Sequence, residues 1–196
     1  MSRQYCISCE RPLVTCICKY ASTINNSITL WILQHPSEQL KTKGTAGLIN
    51  LSLSKCNVLI GENFSEHEQL NALISNKANQ VLLLYPDDDA QLVDKIEAKT
   101  FANTHLLVID GTWKKAYKIY QLSKNIQNLP KVTLDTDVQS QYLIRKHHRK
   151  TDLSTLEASC YALSSLEDSL DKYQPLLNNF NDFNQWLLSF RPESHK

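Results

Sequence analysis

Four consecutive residues, Asp110, Gly111, Thr112 and Trp113, set a carboxylate, a hydroxyl and an indole directly behind the apolar run 105–109. A buried-strand pattern that runs into helix-like residues puts these groups at the carboxyl edge of a sheet, where open α/β sheets hold their ligands. The first turn of the following helix has backbone N–H groups without intrahelical partners, which suits an anionic or polar ligand. Asp110 at that edge is either a proton acceptor or an N-cap, and Trp113 either stacks on a ligand or packs in the core. A second constellation lies near the N-terminus, where Cys6-x-x-Cys9 and Cys16-x-Cys18 gather four thiols into thirteen residues. A Cys-x-x-Cys knuckle lets two thiolates converge on one tetrahedral ion and the second pair supplies the rest, which points to a structural zinc. Redox use of Cys6 and Cys9 is the alternative, but a thioredoxin-type motif follows a strand and opens a helix, and neither pattern flanks them.

Three further segments carry reactive or polar groups. In Gln34-His35-Pro36-Ser37-Glu38, Pro36 forces His35 into extended geometry at a strand end, where its imidazole either binds a polar ligand or makes a local hydrogen bond. In Tyr85-Pro86-Asp87-Asp88-Asp89, the aspartates read better as the cap and dipole partners of a helix starting at Ala90 than as a cation site. Arg145, Lys146, Arg149 and Lys150 form a basic stretch ahead of Leu153-Ser154-Thr155-Leu156-Glu157. Ser154-x-x-Glu157 is a capping box, so a capped helix end with free amides would meet a charged ligand while the basic stretch meets phosphates.

The elements that must position these groups follow from periodicity. Strand-like segments at 28–33, 57–60, 80–84, 106–109 and 131–134 alternate with helix-like segments at 40–53, 66–76, 90–99, 112–124 and 155–170, and a last helix covers about 176–190. This alternation implies crossover connections and an α/β fold: a mostly parallel sheet of about five strands with flanking helices. Cys56 and Cys160 sit in or beside apolar runs and read as ordinary buried cysteines. With only 4 glycines the chain has neither Gly-x-Gly-x-x-Gly nor a P-loop, which argues against a dinucleotide fold or a nucleotide triphosphatase.

The chain of 196 residues with 42% hydrophobic content suits one domain over 26–196, preceded by a zinc-binding segment over 1–25. The apolar runs are too short to span a bilayer and no leader pattern is visible, so a soluble, cytoplasmic protein without a membrane partner is expected. Net charge is only +1, but residues 1–60, 61–112, 113–150 and 151–196 carry +4, −6, +7 and −4. Two basic blocks separated by acidic ones can converge into a patch for a polyanion while the rest stays neutral.

Taken together, Cys-x-x-Cys-x-Arg-Pro-x-x-x-Cys-x-Cys at 6–18, His-Pro-x-Glu at 35–38, Tyr-Pro-x-x-Asp-Ala at 85–90, Asp-Gly-Thr-Trp at 110–113 and Leu-Ser-Thr-Leu-Glu-Ala at 153–158 resemble the DTW-domain family. The resemblance implies a tRNA-uridine aminocarboxypropyltransferase with a SPOUT-like knotted C-terminal region. It implies that the 3-amino-3-carboxypropyl group of S-adenosylmethionine moves to N3 of a uridine in tRNA and that methylthioadenosine leaves. On that basis Asp110, Trp113 and His35 are the catalytic candidates, with Asp110 taking or orienting the N3 proton. Tyr85, Pro86, Asp110, Gly111, Thr112, Arg145, Leu153, Ser154, Thr155 and Glu157 would bind S-adenosylmethionine, with Glu157 facing its ammonium and Arg145 its carboxylate or an RNA phosphate. Lys146, Arg149 and Lys150 would contact tRNA, and Cys6, Cys9, Cys16 and Cys18 would hold zinc. A SPOUT-like RNA methyltransferase and a noncatalytic zinc-containing RNA-binding protein are the alternatives.

Overall fold

A computed structural model describes residues 4–39, 41, 44–98, 100–135 and 153–190. Six strands form one sheet: β1 (Thr29–Gln34), β2 (Cys56–Ile60), β3 (Gln80–Leu84), β4 (Gln91–Leu92), β5 (Thr104–Asp110) and β6 (Lys131–Thr133). Their order is β2-β1-β5-β3-β6-β4 and every pairing is parallel. The helices are α1 (Ala46–Ser52), α2 (Glu68–Ser75), α3 (Trp113–Leu122), α4 (Lys124–Gln127), α5 (Thr155–Leu166) and α6 (Leu170–Ser189).

The central strands are apolar at successive positions because both faces of the sheet are covered. Leu30 and Ile32 of β1, Leu106 and Val108 of β5 and Leu82 of β3 pack in one core with α1, α5 and α6. Their neighbours Trp31, Leu33, Leu107, Val81 and Leu83 pack in a second core with Leu70 of α2, Ile119 of α3 and Ile126 of α4. Each fully buried aliphatic side chain contributes roughly 1.5–3 kcal/mol, so a charged substitution at Leu106, 0% exposed, would break the sheet. Ile17, Tyr20 and Ile24 of the N-terminal segment belong to the first core as well.

Three expectations from periodicity need correction. Residues 90–98 form the short edge strand β4 and a 3-10 turn at Val93–Lys95, so the helix expected at 90–99 is replaced by a sixth strand. The aspartates before it cap no helix: Asp87 pairs with Lys131 Nζ at 2.8 Å, and its backbone oxygen accepts the Ala90 N–H at 3.0 Å in a turn. The helix expected at 155–170 ends at Leu166, where Asp168 adopts φ 47. The Ser169 N–H returns to Ser164 O and the Asp168 N–H to Ser165 O, the Schellman pattern that closes a helix with a left-handed residue. Helix α6 then starts at Leu170 and runs through Pro175 rather than beginning after it. A SPOUT-like knot is expected in the C-terminal region, of which residues 136–152 and 191–196 lie outside the described residues.

Candidate functional site

Register brings the site together. β1 and β5 pair in parallel with Gln34 opposite Asp110, both at the last position of their strands. Gln34 Nε2 donates to Asp110 Oδ2 at 2.8 Å, and the Thr155 hydroxyl donates to Asp110 Oδ1 at 2.6 Å. Asp110 is therefore a 7% exposed carboxylate with one donor on each oxygen, tied to a strand on one side and to the first residue of α5 on the other. It is not an N-cap. Thr112 occupies that place for α3 and makes no side-chain capping bond, which leaves the first amides of α3 open to a ligand.

Helix α5 is aimed by its own cap. The Ser154 hydroxyl accepts the Glu157 N–H at 3.2 Å and Glu157 Oε2 accepts the Ser154 N–H at 2.8 Å, completing the capping box. Glu157 is 1% exposed, and its carboxylate holds Ser154 at the start of the helix.

A cleft of about 430 Å³ opens between these elements. The ends of β3, β5 and β6 and the start of α5 contribute Tyr85, Pro86, Gly111, Thr112, Trp113, Leu134, Leu153, Ser154 and Thr155 to its wall. The structure thus assembles eight of the residues singled out in sequence at one place: Tyr85, Pro86, Gly111, Thr112, Trp113, Leu153, Ser154 and Thr155. Trp113 is 57% exposed, which rules out a core role and presents its ring to the cleft. Tyr85 is held by stacking on Tyr120, with ring centroids 4.4 Å apart. Arg145, Lys146, Arg149 and Lys150 lie outside the described residues.

His35 reaches the same sheet edge but not the cleft wall. Its backbone N–H donates to the Asp110 carbonyl at 3.0 Å, and φ −63 with ψ 135 is the extended geometry Pro36 demands. Nδ1 accepts the Ser37 N–H at 3.2 Å, which puts the ring proton on Nε2, 2.7 Å from Glu62 Oε1. Lys118 also pairs with Glu62 and, with His35, holds its carboxyl below the usual range. Beside it, burial raises the Glu38 carboxyl, but the ammonium groups of Lys115 and Lys41, each 2.7 Å away, outweigh burial and leave it lowered. Gln34 and Glu62 are partners that spacing did not single out, because only strand register and a crossover loop bring them to Asp110 and His35.

The cysteine segment is a tight knuckle. Cys6 N–H donates to Arg11 O at 2.8 Å, Glu10 N–H donates to Cys6 O at 2.9 Å, and Glu10 takes φ 56 to close the turn. The Cys16 and Cys18 pair is fixed by Ile17 and Tyr20, which anchor in the core at 1% and 7% exposure. All four Sγ atoms lie within 4.8 Å of one another, with Cys6 to Cys18 at 3.6 Å and Cys9 to Cys16 at 3.7 Å. Metal–sulfur bonds of about 2.3 Å in a tetrahedron require sulfur separations of about 3.8 Å, so this cluster could hold a metal ion with little movement. Amides of Cys9 and Ser8 and the neighbouring thiols lower the Cys6 thiol to about 6. Burial and the adjoining sulfurs push Cys18 up to about 12, the crowding expected of thiolates that need a shared cation.

A parallel sheet whose carboxyl edge carries a carboxylate, an open helix start and a capped helix end, joined to a four-thiol knuckle that could hold a metal ion, defines an α/β protein with a candidate site for a polar ligand. The chain belongs to the DTW-domain family, whose model matches residues 3–188. It is 34% identical over 171 residues to tRNA-uridine aminocarboxypropyltransferase 2 of Macaca fascicularis, covering 84% of this chain and 57% of that protein. Its mouse counterpart is 35% identical over 172 residues at the same two coverages. The Drosophila melanogaster protein of the same name is 33% identical over 182 residues, covering 89% of this chain and 71% of the other. The chain thus spans little more than half the length of the two mammalian relatives. No solved structure matches it significantly.

Proposed function

We propose that this chain transfers the 3-amino-3-carboxypropyl group of S-adenosylmethionine to N3 of a uridine in tRNA. The observation that carries the proposal is the cleft of about 430 Å³ at the carboxyl edge, where the family's motif residues form one wall beside Asp110. The names of the relatives support the acceptor, a tRNA uridine, and the transferred aminocarboxypropyl group. In the transfer, N3 loses its proton and bonds to the side-chain carbon attached to sulfur. The carbon–sulfur bond breaks, and its electron pair leaves on the sulfur of methylthioadenosine. The sulfonium is already an activated leaving group, so the protein must position the two substrates, choose which substituent faces N3 and accept a proton.

Asp110 is the acceptor in this reading, fixed by Gln34 and Thr155, with a second lone pair free on each oxygen. The adenosine lies across Tyr85, Pro86 and the Leu153–Thr155 turn, and the open amides of α3 suit the carboxylate of the donor. Trp113 stacks on adenine or on the target base, and His35 holds the loop after β1 against Asp110. Arg145 meets the donor carboxylate or a phosphate, and Lys146, Arg149 and Lys150 meet tRNA phosphates. The four cysteines hold a structural zinc, a closed tetrahedron with no open position for chemistry. The knotted C-terminal region and a cytoplasmic location complete the reading. Among the described residues no helix is long and apolar enough to cross a membrane.

Mass spectrometry of nucleosides from tRNA incubated with the protein and S-adenosylmethionine tests the proposal. The expected product is 3-(3-amino-3-carboxypropyl)uridine with one equivalent of methylthioadenosine. A methylated nucleoside with S-adenosylhomocysteine would show a methyltransferase instead, and tRNA binding without donor consumption would show a noncatalytic binder.

A further inference from the structure

Helix α3 runs away from the cleft with one face bare. At about 100° per residue, Trp113 and Tyr117 share one stripe of that helix and Lys114 and Lys118 share the next, while Ala116 and Ile119 are buried on the opposite side. Trp113 is 57% and Tyr117 58% exposed, and the two residues lie about 6 Å apart along the axis. A single exposed ring needs no explanation, but two in one row beside a cleft mark a surface that a partner covers. The row begins in the cleft, whose wall holds both Trp113 and Tyr85. Tyr85 stacks on Tyr120, and its hydroxyl is raised by burial first and then by the neighbouring Tyr120 and Tyr117 phenols, so Tyr117 adjoins the same aromatic ledge. Charge narrows the choice of partner. Helices α3 and α4 carry Lys114, Lys115, Lys118 and Lys124 and no acidic residue. Glu38 matches Lys115 and Glu62 matches Lys118, which leaves Lys114 and Lys124 exposed and without an acidic partner among the described residues. An apolar partner would bury those ammonium groups unpaired, whereas a polyanion gives up counterions to them.

We propose that this face of α3 is a track for the unpaired nucleotides of tRNA that adjoin the target uridine, with a base stacked on Tyr117 and phosphates along Lys114 and Lys118. The inference rests on the tRNA acceptor of the proposed transfer and adds which nucleotides besides the uridine the chain holds. N3 lies on the pairing edge of uracil, so a uridine that presents N3 to the cleft is unpaired and drawn out of its stack. Its neighbour then lacks a stacking partner, and the ring of Tyr117, one turn beyond Trp113, replaces it. Every base has a face that can stack, so the track contributes affinity for single-stranded RNA with little sequence preference. The lysine row beside the rings follows the backbone that links the two bases.

The test uses the intact, metal-loaded protein and an unmodified tRNA transcript, with binding followed by fluorescence anisotropy at several salt concentrations in the absence of S-adenosylmethionine. Tyr117→Ala should weaken binding about tenfold and leave the slope of log affinity against log salt unchanged, while Tyr117→Phe keeps the wild-type affinity. Lys114→Ala should weaken binding and flatten that slope by somewhat under one unit. Both positions are exposed, so melting temperature and affinity for S-adenosylmethionine should stay at wild-type values. A short oligouridylate should show the same loss with Tyr117→Ala as tRNA does, and an RNA duplex of equal length should show none. Wild-type tRNA affinity in Tyr117→Ala and Lys114→Ala, a loss in Tyr117→Phe as large as that in Tyr117→Ala, a duplex as sensitive to Tyr117→Ala as the single strand, or a wild-type dimer that Tyr117→Ala dissolves would overturn the proposal. A protein that binds tRNA in this way yet forms no aminocarboxypropyluridine would contradict the transfer reading alone, because the titrations are read without the donor.

Discussion

The cysteine knuckle and the cleft around Asp110 are ordered in opposite ways. In the knuckle, four sulfurs from thirteen residues of chain lie within 4.8 Å of one another, so one local turn gathers them and, in the proposed reading, one shared ion holds them. At the cleft, Asp110 depends on Gln34, 76 residues before it, and on Thr155, 45 residues after it. Its geometry is a product of parallel register and a capped helix. Loss of the knuckle's order would loosen core packing on one face but leave the strand ends paired, whereas the cleft's order cannot be removed without disturbing the ends of strands and helices. Damage to the knuckle should therefore show in stability and metal content, and damage at Asp110 should show first in rate.

The largest effect is expected from the knuckle. Chelation or Cys9→Ser should release the metal and free Ile17 and Tyr20 from the core, destabilising the protein by more than about 3 kcal/mol. Melting should then fall by about 10 °C with the sheet retained at room temperature. Unchanged metal content in Cys9→Ser would break the comparison at this end.

Asp110→Asn should cut turnover by roughly 10²–10⁴-fold, the range for loss of a proton acceptor. The new amide group must face one of two donors, Gln34 or Thr155, so a stability cost of about 1–3 kcal/mol accompanies it. Isothermal titration should find the affinity for S-adenosylmethionine little changed; an affinity loss as large as the rate loss would make Asp110 a binding residue.

Smaller effects should come from the helix that aims at the cleft. Thr155→Val and Ser154→Ala should each cost about 1 kcal/mol in denaturant titrations, one through the Asp110 hydrogen bond and one through the cap. The double variant should deviate from additivity because the residues share one turn. Trp113→Ala comes last on the stability scale, within about 0.5 kcal/mol for a side chain 57% exposed, while ligand affinity should drop about tenfold through lost stacking. A stability loss of several kcal/mol would return Trp113 to a core role.

The same contrast explains what the sequence made legible. The knuckle and the capping box are set by residues a few positions apart, and the spacing alone identified their partners. The order of strands and helices was also legible, because β1, β2, β3 and β5 carry apolar runs and the segment around β6 shows the alternation of Val132 and Leu134. β4 was not, since two residues pairing with the edge of β6 leave no periodicity, and the salt bridge from Asp87 to Lys131 that shapes the turn before it is long-range. The Gln34–Asp110 pair depends on which strands are neighbours, which periodicity does not specify. The exposure of Trp113 follows from its place as the first residue of α3, beyond the reach of either core.

The central claim is tested most directly by two preparations of S-adenosylmethionine, one labelled in the methyl group and one in the carboxyl group of the amino-acid portion. Each is incubated with the protein and unmodified tRNA, and the label is followed. The account predicts that the carboxyl label enters tRNA and the methyl label leaves with methylthioadenosine. Methyl label in tRNA would contradict it.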